Sequence, residues 1–189
     1  MSVSVTDFKS IEDLFNYNID FIKGNIDSTF YHLGPLEKDS QLIADKLLIL
    51  NENDVFTFNG QGYCNDEKCI QKPYLCCYIN IKHMDTLKKK IKFFNKKGNL
   101  KIKYYIYSYH DDKCFTNFNK TEIVTKITKT NQSYTDISNI FDILCYIQDR
   151  ENNSVCKELE SKYFLFYITI DKFNCEFDIE QFIIDIVVS

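Results

Sequence analysis

The sequence predicts an α+β fold, in which a mixed β-sheet of about five strands packs against several helices. Of its 189 residues, 44% are hydrophobic and 26% are charged, so the chain has enough apolar material for a buried core. Some segments repeat apolar residues at every second position, as strands do, whereas others repeat them at helical spacing. Because no repeat and no Pro/Gly/Ser-rich linker interrupts the chain, we expect residues 1–189 to form a single domain, with a weaker division near residues 111–120 left open.

The first two predicted elements are helices. Residues 7–23 place apolar side chains near helical spacing, and Thr6 is the expected N-cap. A second helix is expected to begin at Asp39 or Ser40 and to run to Leu50. Both helices carry an apolar stripe, which needs a sheet or another helix to bury it.

A strand, a glycine-rich loop and a second strand follow. Residues 55–58 form the first strand, and residues 59–62 read Asn-Gly-Gln-Gly, whose two glycines permit positive φ and predict a tight turn. This segment lacks the third glycine and the Lys-Ser/Thr pair of a phosphate loop, so it does not indicate a nucleotide site. Residues 73–81 alternate between two faces at period two, which predicts the next strand.

Residues 83–97 place apolar residues at helical spacing and end at Gly98, which predicts an amphipathic helix. Residues 100–109 follow as a strand, with Ile102 and Ile106 on one face. The order strand, helix, strand fits a parallel crossover unit, and it equally fits an antiparallel sheet backed by helices.

The last third of the chain contains two predicted strands and two predicted helices. Thr, Ile and Val dominate residues 121–130, which predicts a strand with a polar face. A helix follows, starting at Asp136 or Ser138. Residues 163–170 are apolar on both faces, which predicts a central strand, and residues 178–187 predict a terminal helix.

A cysteine cluster raises the hypothesis of a zinc site. Cys64 and Cys69 have a spacing that zinc sites use, and they are followed by two adjacent cysteines and a histidine. Adjacent residues of a strand point to opposite faces, so Cys76 and Cys77 cannot both bind one ion without a bulge. Buried, reduced thiols explain the cysteines better, and we expect no metal and no cofactor. The candidate ligands for the zinc hypothesis are Cys64, Cys69, Cys76 and His83.

An enzyme is the alternative to a binding protein. His110 and Asp112 follow a predicted strand, at the place where ligand sites of open α/β sheets gather, although an ordinary turn has the same composition. Gln61 lies in the glycine segment and His83 at the start of a helix. If these four side chains meet in one concave pocket, an enzyme is favoured, and if they are dispersed, a binding protein is favoured.

Charge is segregated along the chain. Residues 82–103 contain nine lysines and one acid, a local charge of +8, whereas the whole chain has −4, which leaves −12 elsewhere. The predicted helix directs these lysines to solvent, and the following strand places tyrosines beside Lys101 and Lys103, a pattern that can bind phosphates or stack on bases. The candidate binding residues are Lys88, Lys89, Lys92, Lys96, Lys101, Lys103, Tyr105 and Tyr107.

The composition points to the source of the chain. Ile, Asn, Lys, Phe and Tyr are abundant and Arg150 is the single arginine, which is typical of a very AT-rich genome, as in giant viruses or some protists. Residues 48–81 resemble uncharacterised α/β domains of giant viruses and bacteria. The residues that carry this resemblance are Leu50-Asn51, Phe56-Thr57, Gly60-Gln61-Gly62 and Gln71-Lys72-Pro73-Tyr74. The resemblance implies a strand, strand, helix, strand order and brings no activity with it.

Together these patterns predict a binding protein without a catalytic centre. Residues 1–25 lack the pattern of a secretory signal, and the longest apolar runs are far shorter than the roughly 20 residues of a membrane span. We therefore expect a soluble cytoplasmic protein, in the host cytoplasm or virion if viral. The expected partner is a protein, which includes a second copy of the chain, with nucleic acid as the alternative and no membrane.

Overall fold

A computed structural model describes residues 8–65, 69–117, 122–128, 132–136, 151–173 and 175–188. Helices within these residues are α1 (Ile11–Ile22), α2 (Lys38–Gln41), α3 (Ala44–Glu52), α4 (Met84–Lys97), α5 (Ser154–Lys162) and α6 (Ile179–Val187). The strands are β1 (Val55–Gln61), β2 (Cys64–Asn65), β3 (Cys69–Gln71), β4 (Tyr74–Asn80), β5 (Ile102–Ser108), β6 (Lys113–Thr116), β7 (Glu122–Thr128), β8 (Gln132–Asp136) and β9 (Tyr163–Ile170). A 3-10 turn over Ile81–His83 joins β4 to α4.

The main sheet has five strands in the order β1-β4-β9-β5-β6, and each neighbouring pair is antiparallel. The predicted α+β class and the number of strands are confirmed. Parallel pairing, which a mixed sheet would contain, is not found in this sheet, so that part of the prediction is wrong. β4 and β5 do run parallel to each other, but β9 lies between them, which converts the strand-helix-strand crossover into two antiparallel pairs.

Helices cover both faces of this sheet, so the core has two layers. β9 is buried along its whole length, as predicted for a central strand. On one face α1 and α5 pack against alternate residues of the strands, and on the other face α3, α4 and α6 do so. The first layer includes Leu14, Phe15, Tyr78, Leu159 and Tyr167. The second includes Leu47, Leu87, Phe166, Ile168 and Ile183.

The first helix begins later than the sequence predicts. Its N-cap is Ser10, whose hydroxyl accepts a hydrogen bond of 3.1 Å from the Asp13 backbone N–H. The Asp13 carboxylate in turn accepts a bond of 3.1 Å from the Ser10 N–H, which completes a capping box. Thr6, the predicted cap, lies outside the described residues.

The predicted second helix is divided into α2 and α3. The Ser40 hydroxyl donates a hydrogen bond of 2.9 Å to the Gly60 carbonyl and holds α2 against β1, whereas α3 buries Leu47 and Leu50 in the core. Residues 42–43 between the two helices belong to neither, and Leu42 at this junction is 84% exposed.

The predicted turn at residues 59–62 is wrong. Residues 59–61 continue β1 and pair with β4, after a bulge near residue 57. Close packing favours glycine at position 60, because a Cβ there would lie 3.0 Å from Leu75 Cδ1 and 3.3 Å from the Tyr74 carbonyl oxygen. Among the glycines, positive φ occurs instead at Gly24 and Gly34, which lie between α1 and α2.

A second sheet has four antiparallel strands in the order β2-β3-β7-β8. β7 confirms the strand predicted for residues 121–130, whereas β2, β3 and β8 were not predicted. The predicted helix after Asp136 lies outside the described residues, and Asp136 itself ends β8.

The weaker domain division near residues 111–120 stays a prediction. No helix in the described segments has both the length and the apolar character needed to cross a membrane.

Candidate functional site

The four candidate catalytic residues do not share one pocket. Gln61 ends β1, and its neighbours across the sheet are Tyr74 and then Thr169 near the end of β9. The candidates His83, His110 and Asp112 follow the ends of β4 and β5, which pair with the beginning of β9 at Tyr163 and Phe164. Six residues of strand separate the two ends of β9, a distance of about 20 Å. Gln61 is therefore separated from the other three candidates, which lie toward the same end of the sheet.

Each of these residues has a local structural role or setting. Gln61 Nε2 donates a hydrogen bond of 3.0 Å to the Lys72 carbonyl, which ties β1 to the chain entering β4. His110 is exposed in the turn after β5, where Asp112 accepts a bond of 2.7 Å from the Tyr107 hydroxyl. The His110 and Asp112 segment is therefore an ordinary hydrogen-bonded turn.

His83 lies at the start of α4, partly buried. Its Nε2 has no hydrogen-bond partner among the described residues. Burial lowers the pKa of His83, and the adjacent Lys82 lowers it further, while Asp54 acts in the opposite direction. The imidazole is therefore held toward its neutral form.

Of the cysteines in the predicted cluster, the two whose side chains are described are packing residues. Cys76 and Cys77 are buried on opposite faces of β4, as their adjacency predicts. Burial raises the pKa of both thiols, which disfavours the thiolate that a metal or a nucleophilic mechanism requires. No three His, Cys, Asp or Glu side chains cluster as a metal site in the described part of the chain. Of the remaining candidate ligands, the backbones of Cys64 and Cys69 lie in the β2–β3 hairpin.

The lysines of α4 form an exposed surface. Leu87 and Ile91 anchor the helix in the core, so the opposite side faces solvent. We call this surface the lysine ridge, and it comprises Lys89, Lys90, Lys92, Phe93, Lys96 and Lys97. Among the described residues, none of its lysines forms an ion pair with a carboxylate.

Phe93 lies at the centre of the lysine ridge. Its side chain is 58% exposed, and the Lys97 ammonium lies 4.1 Å from the centre of its ring. Helical spacing places Lys89 and Lys96 one turn before and after it on the same side. The ridge therefore presents an aromatic side chain surrounded by positive charge.

Three candidate binding lysines lie outside this ridge. Lys88 packs over the Phe115 ring at 3.4 Å, on the core side of α4. Lys101 Nζ donates to the carbonyls of Asn95 and Gly98 and so binds the C-terminal end of α4, while Lys103 Nζ lies 3.5 Å from the Asn117 carbonyl.

The candidate tyrosines and the lysine ridge lie on opposite sides of the main sheet. Tyr105 and Tyr107 pack against the layer that contains α1 and α5, and both are partly buried. α4 packs against the other layer. The strand alternation was predicted correctly, but the two sets of residues do not form one continuous surface.

A pocket of about 320 Å³ lies at the other end of the sheet, between α1, the α2 segment and the end of β1. We call it the Asn18 pocket, because Asn18 of α1 lies in its wall. Asn18 Nδ2 donates to Asn51 Oδ1 at 2.8 Å and to the Thr57 carbonyl at 2.7 Å, and its Oδ1 accepts from the Tyr31 hydroxyl. This network fixes the wall of the pocket from three elements.

Of the candidate residues, Gln61 lines the Asn18 pocket, and the remaining lining was not predicted. One signal was present in the sequence. Asn18 lies on the apolar stripe of α1, between Phe15 and Phe21, where a polar side chain must find buried hydrogen-bond partners.

A comparison of the chain with protein-family models and with curated proteins finds no match. The resemblance of residues 48–81 to viral and bacterial domains stays a prediction.

Proposed function

We propose that the protein is a non-catalytic binding protein and that its lysine ridge contacts an acidic surface of a protein partner. The observation that carries this proposal is the set of exposed lysines on α4 without described ion-pair partners. A cluster of like charges is destabilising by itself, and a partner of opposite charge removes this repulsion.

Phe93 supports a protein partner. Interfaces are enriched in aromatic residues at their centre and have charged residues at the rim, which is the arrangement of the lysine ridge. The ridge is also rigid, because Leu87 and Ile91 fix α4 against the sheet. A preorganised surface loses little conformational entropy on binding.

Nucleic acid is the less favoured partner. Recognition of single strands combines basic residues with aromatic side chains on which bases stack. Here Tyr105 and Tyr107 lie on the other side of the sheet from α4, and the ridge contains no arginine. The net charge of −4 adds no long-range attraction for phosphates.

We also propose that the protein acts in the cytoplasm. Its viral origin remains a prediction from composition.

The test compares two triple variants of equal charge. In the ridge variant Lys89, Lys92 and Lys96 become Gln, and in the control variant three exposed lysines elsewhere, Lys9, Lys23 and Lys157, become Gln. Binding of a fluorescent oligo-glutamate peptide and of a labelled oligo(dT) is measured by anisotropy at low and high salt. Sedimentation velocity on the same samples reports self-association.

We expect the peptide to bind and the ridge variant to lose about tenfold in affinity, because each exposed ion pair contributes roughly 0.2–1 kcal/mol. The control variant should lose less than about twofold, and salt should weaken binding. Equal losses in the two variants, or no peptide binding at low salt, contradict the proposal. Tighter binding of oligo(dT) than of the peptide favours nucleic acid, and a monomer–dimer equilibrium abolished in the ridge variant identifies the partner as a second copy.

A further inference from the structure

The Asn18 pocket has the composition of a site for a small organic cation. Its volume, about 320 Å³, lies at the lower end of the range for small-molecule sites, roughly 300–1,000 Å³. The pocket is on the opposite end of the sheet from His83 and His110, and the lysine ridge contributes no residue to it. The inference is therefore independent of the proposed function.

Aromatic rings share the apolar part of the pocket wall with the aliphatic side chains of Ile22, Leu36 and Leu47. Tyr31 stands at nearly right angles to Phe58, with ring centres 6.4 Å apart, and Phe21 meets Tyr31 at 6.5 Å in the same manner. Tyr74 completes this group and stacks on Tyr167 at 5.7 Å. The face of an aromatic ring is negative, so several rings around one cavity favour a cation over a neutral or anionic group.

The acidic residue of the pocket lining also favours a positively charged ligand. The Glu37 carboxylate lies at the pocket, and none of the described residues that line it is Lys or Arg. Burial is the main cause that raises the pKa of Tyr74, and Cys76, Glu37 and Asp39 raise it further. The pKa of Tyr74 therefore also reflects the negative charge near the pocket. An anion entering the pocket would meet the Glu37 carboxylate, and His32 is the one described lining residue whose side chain can carry a positive charge.

Several polar side chains of the wall are held in place by hydrogen bonds to the protein. Ser40 donates to the Gly60 carbonyl at 2.9 Å, and Asn59 accepts from the Tyr74 hydroxyl at 3.0 Å. The Asn18 side chain is held by Asn51, Thr57 and Tyr31. The wall is thus built and rigid before a ligand arrives, which lowers the entropic cost of binding.

From this cavity, the aromatic rings of its wall and the Glu37 carboxylate, we propose that the Asn18 pocket binds a small organic ammonium ion. The ammonium group lies near Glu37 and against the rings of Tyr31 and Tyr74, and the apolar part of the ligand fills the side lined by Phe58. Glu37 sets the charge preference, and the aromatic rings set the preference for an alkylated over a fully hydrated cation.

The test uses matched probes. Choline is a cation, and 3,3-dimethylbutan-1-ol is a neutral molecule of nearly the same shape. Benzylamine, which is protonated at neutral pH, and benzoate carry opposite charges. Binding of each probe to the full chain is followed by the ring-proton shifts of Tyr31 and Tyr74. The variant Glu37→Gln removes the carboxylate from an exposed position, and Glu12→Gln removes an exposed carboxylate of α1 that does not line the pocket.

We expect choline to bind about tenfold more tightly than its neutral isostere and benzylamine to bind where benzoate does not. Glu37→Gln should weaken binding of the cations by about threefold or more, and Glu12→Gln should leave it unchanged. Thermal midpoints equal to that of the unsubstituted protein show that the variants are folded. The proposal is overturned if no cation binds at millimolar concentration, if choline and its isostere bind equally, or if the two variants behave alike.

Discussion

Asn18 of α1 and Asn51 of α3 are joined by a buried hydrogen bond of 2.8 Å. Asn51 also donates to the Thr57 hydroxyl at 2.7 Å and to the Leu47 carbonyl at 2.8 Å, so the pair connects two helices to β1. Polar groups in a buried position are tolerated because each finds a partner, and removing one partner leaves another unsatisfied. The pair therefore fixes the two helices relative to the sheet.

We expect Asn18→Ala to lower the free energy of unfolding by about 2–3 kcal/mol, because the Asn51 side chain and the Thr57 carbonyl lose a donor in the interior. Asn16→Ala, at an exposed position of the same helix, is the control and should change it by less than about 0.5 kcal/mol. Urea unfolding measures both. Equal effects of the two substitutions would show that the network contributes nothing beyond helix propensity.

Glu180 makes the stability of the fold depend on pH. It is buried in the first turn of α6, and its Oε1 has no hydrogen-bond partner among the described residues. Burial raises its pKa from 4.5 to about 7; Asp178 adds to the shift, whereas the Glu180 backbone N–H and Lys46 oppose it. Because the folded pKa is the higher one, the stabilising contribution is complete below about pH 4.5 and is lost as the pH rises through 7.

Glu180→Gln should remove this loss. At about pH 9 we expect the variant to be more stable than the unsubstituted protein by about 3 kcal/mol, and near pH 5 the difference should largely disappear. Denaturant unfolding across this pH range measures the difference. Glu176→Gln, at an exposed position before α6, is the control. A difference that does not change with pH would be inconsistent with a buried, titrating Glu180.

Two phenylalanines should respond very differently to the same substitution. Phe166 is fully buried in β9, and its replacement by Ala should lower the free energy of unfolding by about 3–5 kcal/mol through lost burial and a cavity. Phe93 of the lysine ridge is 58% exposed, and Phe93→Ala should change it by about 0.5 kcal/mol or less. Urea denaturation decides. A large loss for Phe93→Ala would mean that this side chain supports the fold.

Thiol reactivity provides an independent test of the core. Cys114 is exposed, whereas Cys76, Cys77 and Cys156 are buried. We expect a maleimide to modify Cys114 at least about tenfold faster than these three, which react as the chain opens. Peptide mapping by mass spectrometry after timed labelling gives the rate at each site. Modification of Cys76 at the rate of Cys114 in the folded protein would contradict its placement in β4.

Strong local periodicity made some elements predictable. The two-faced apolar run of β9 and the helical stripe of α4 were recognised because the buried faces impose their own spacing on the sequence. The turn predicted at residues 59–62 failed because two glycines have more than one cause. Gly60 packs closely against Leu75 on the neighbouring strand, and this contact cannot be seen in the local sequence.

The functional surfaces were less predictable than the elements. The lysine ridge could be read from α4 alone, since one helix carries it. The Asn18 pocket combines residues from α1, from the segment around Tyr31 and Glu37, and from two strands, and their proximity depends on tertiary packing. The sequence correctly placed the tyrosines of β5 on one face of the strand. It did not show that α1 and α5, which are distant in sequence, pack on this face and partly bury them.

The position of β9 also has a consequence for how the main sheet forms. Asn80 pairs with Tyr163 and Ser108 with Phe164, so the central strand is synthesised after the other four strands of this sheet. Until then β4 and β5 each expose an unpaired edge, and such edges associate readily with other chains. Folding waits for these long-range pairings, which makes it slow for the length of the chain. A nascent chain that stalls before residue 163 is the species most exposed to aggregation.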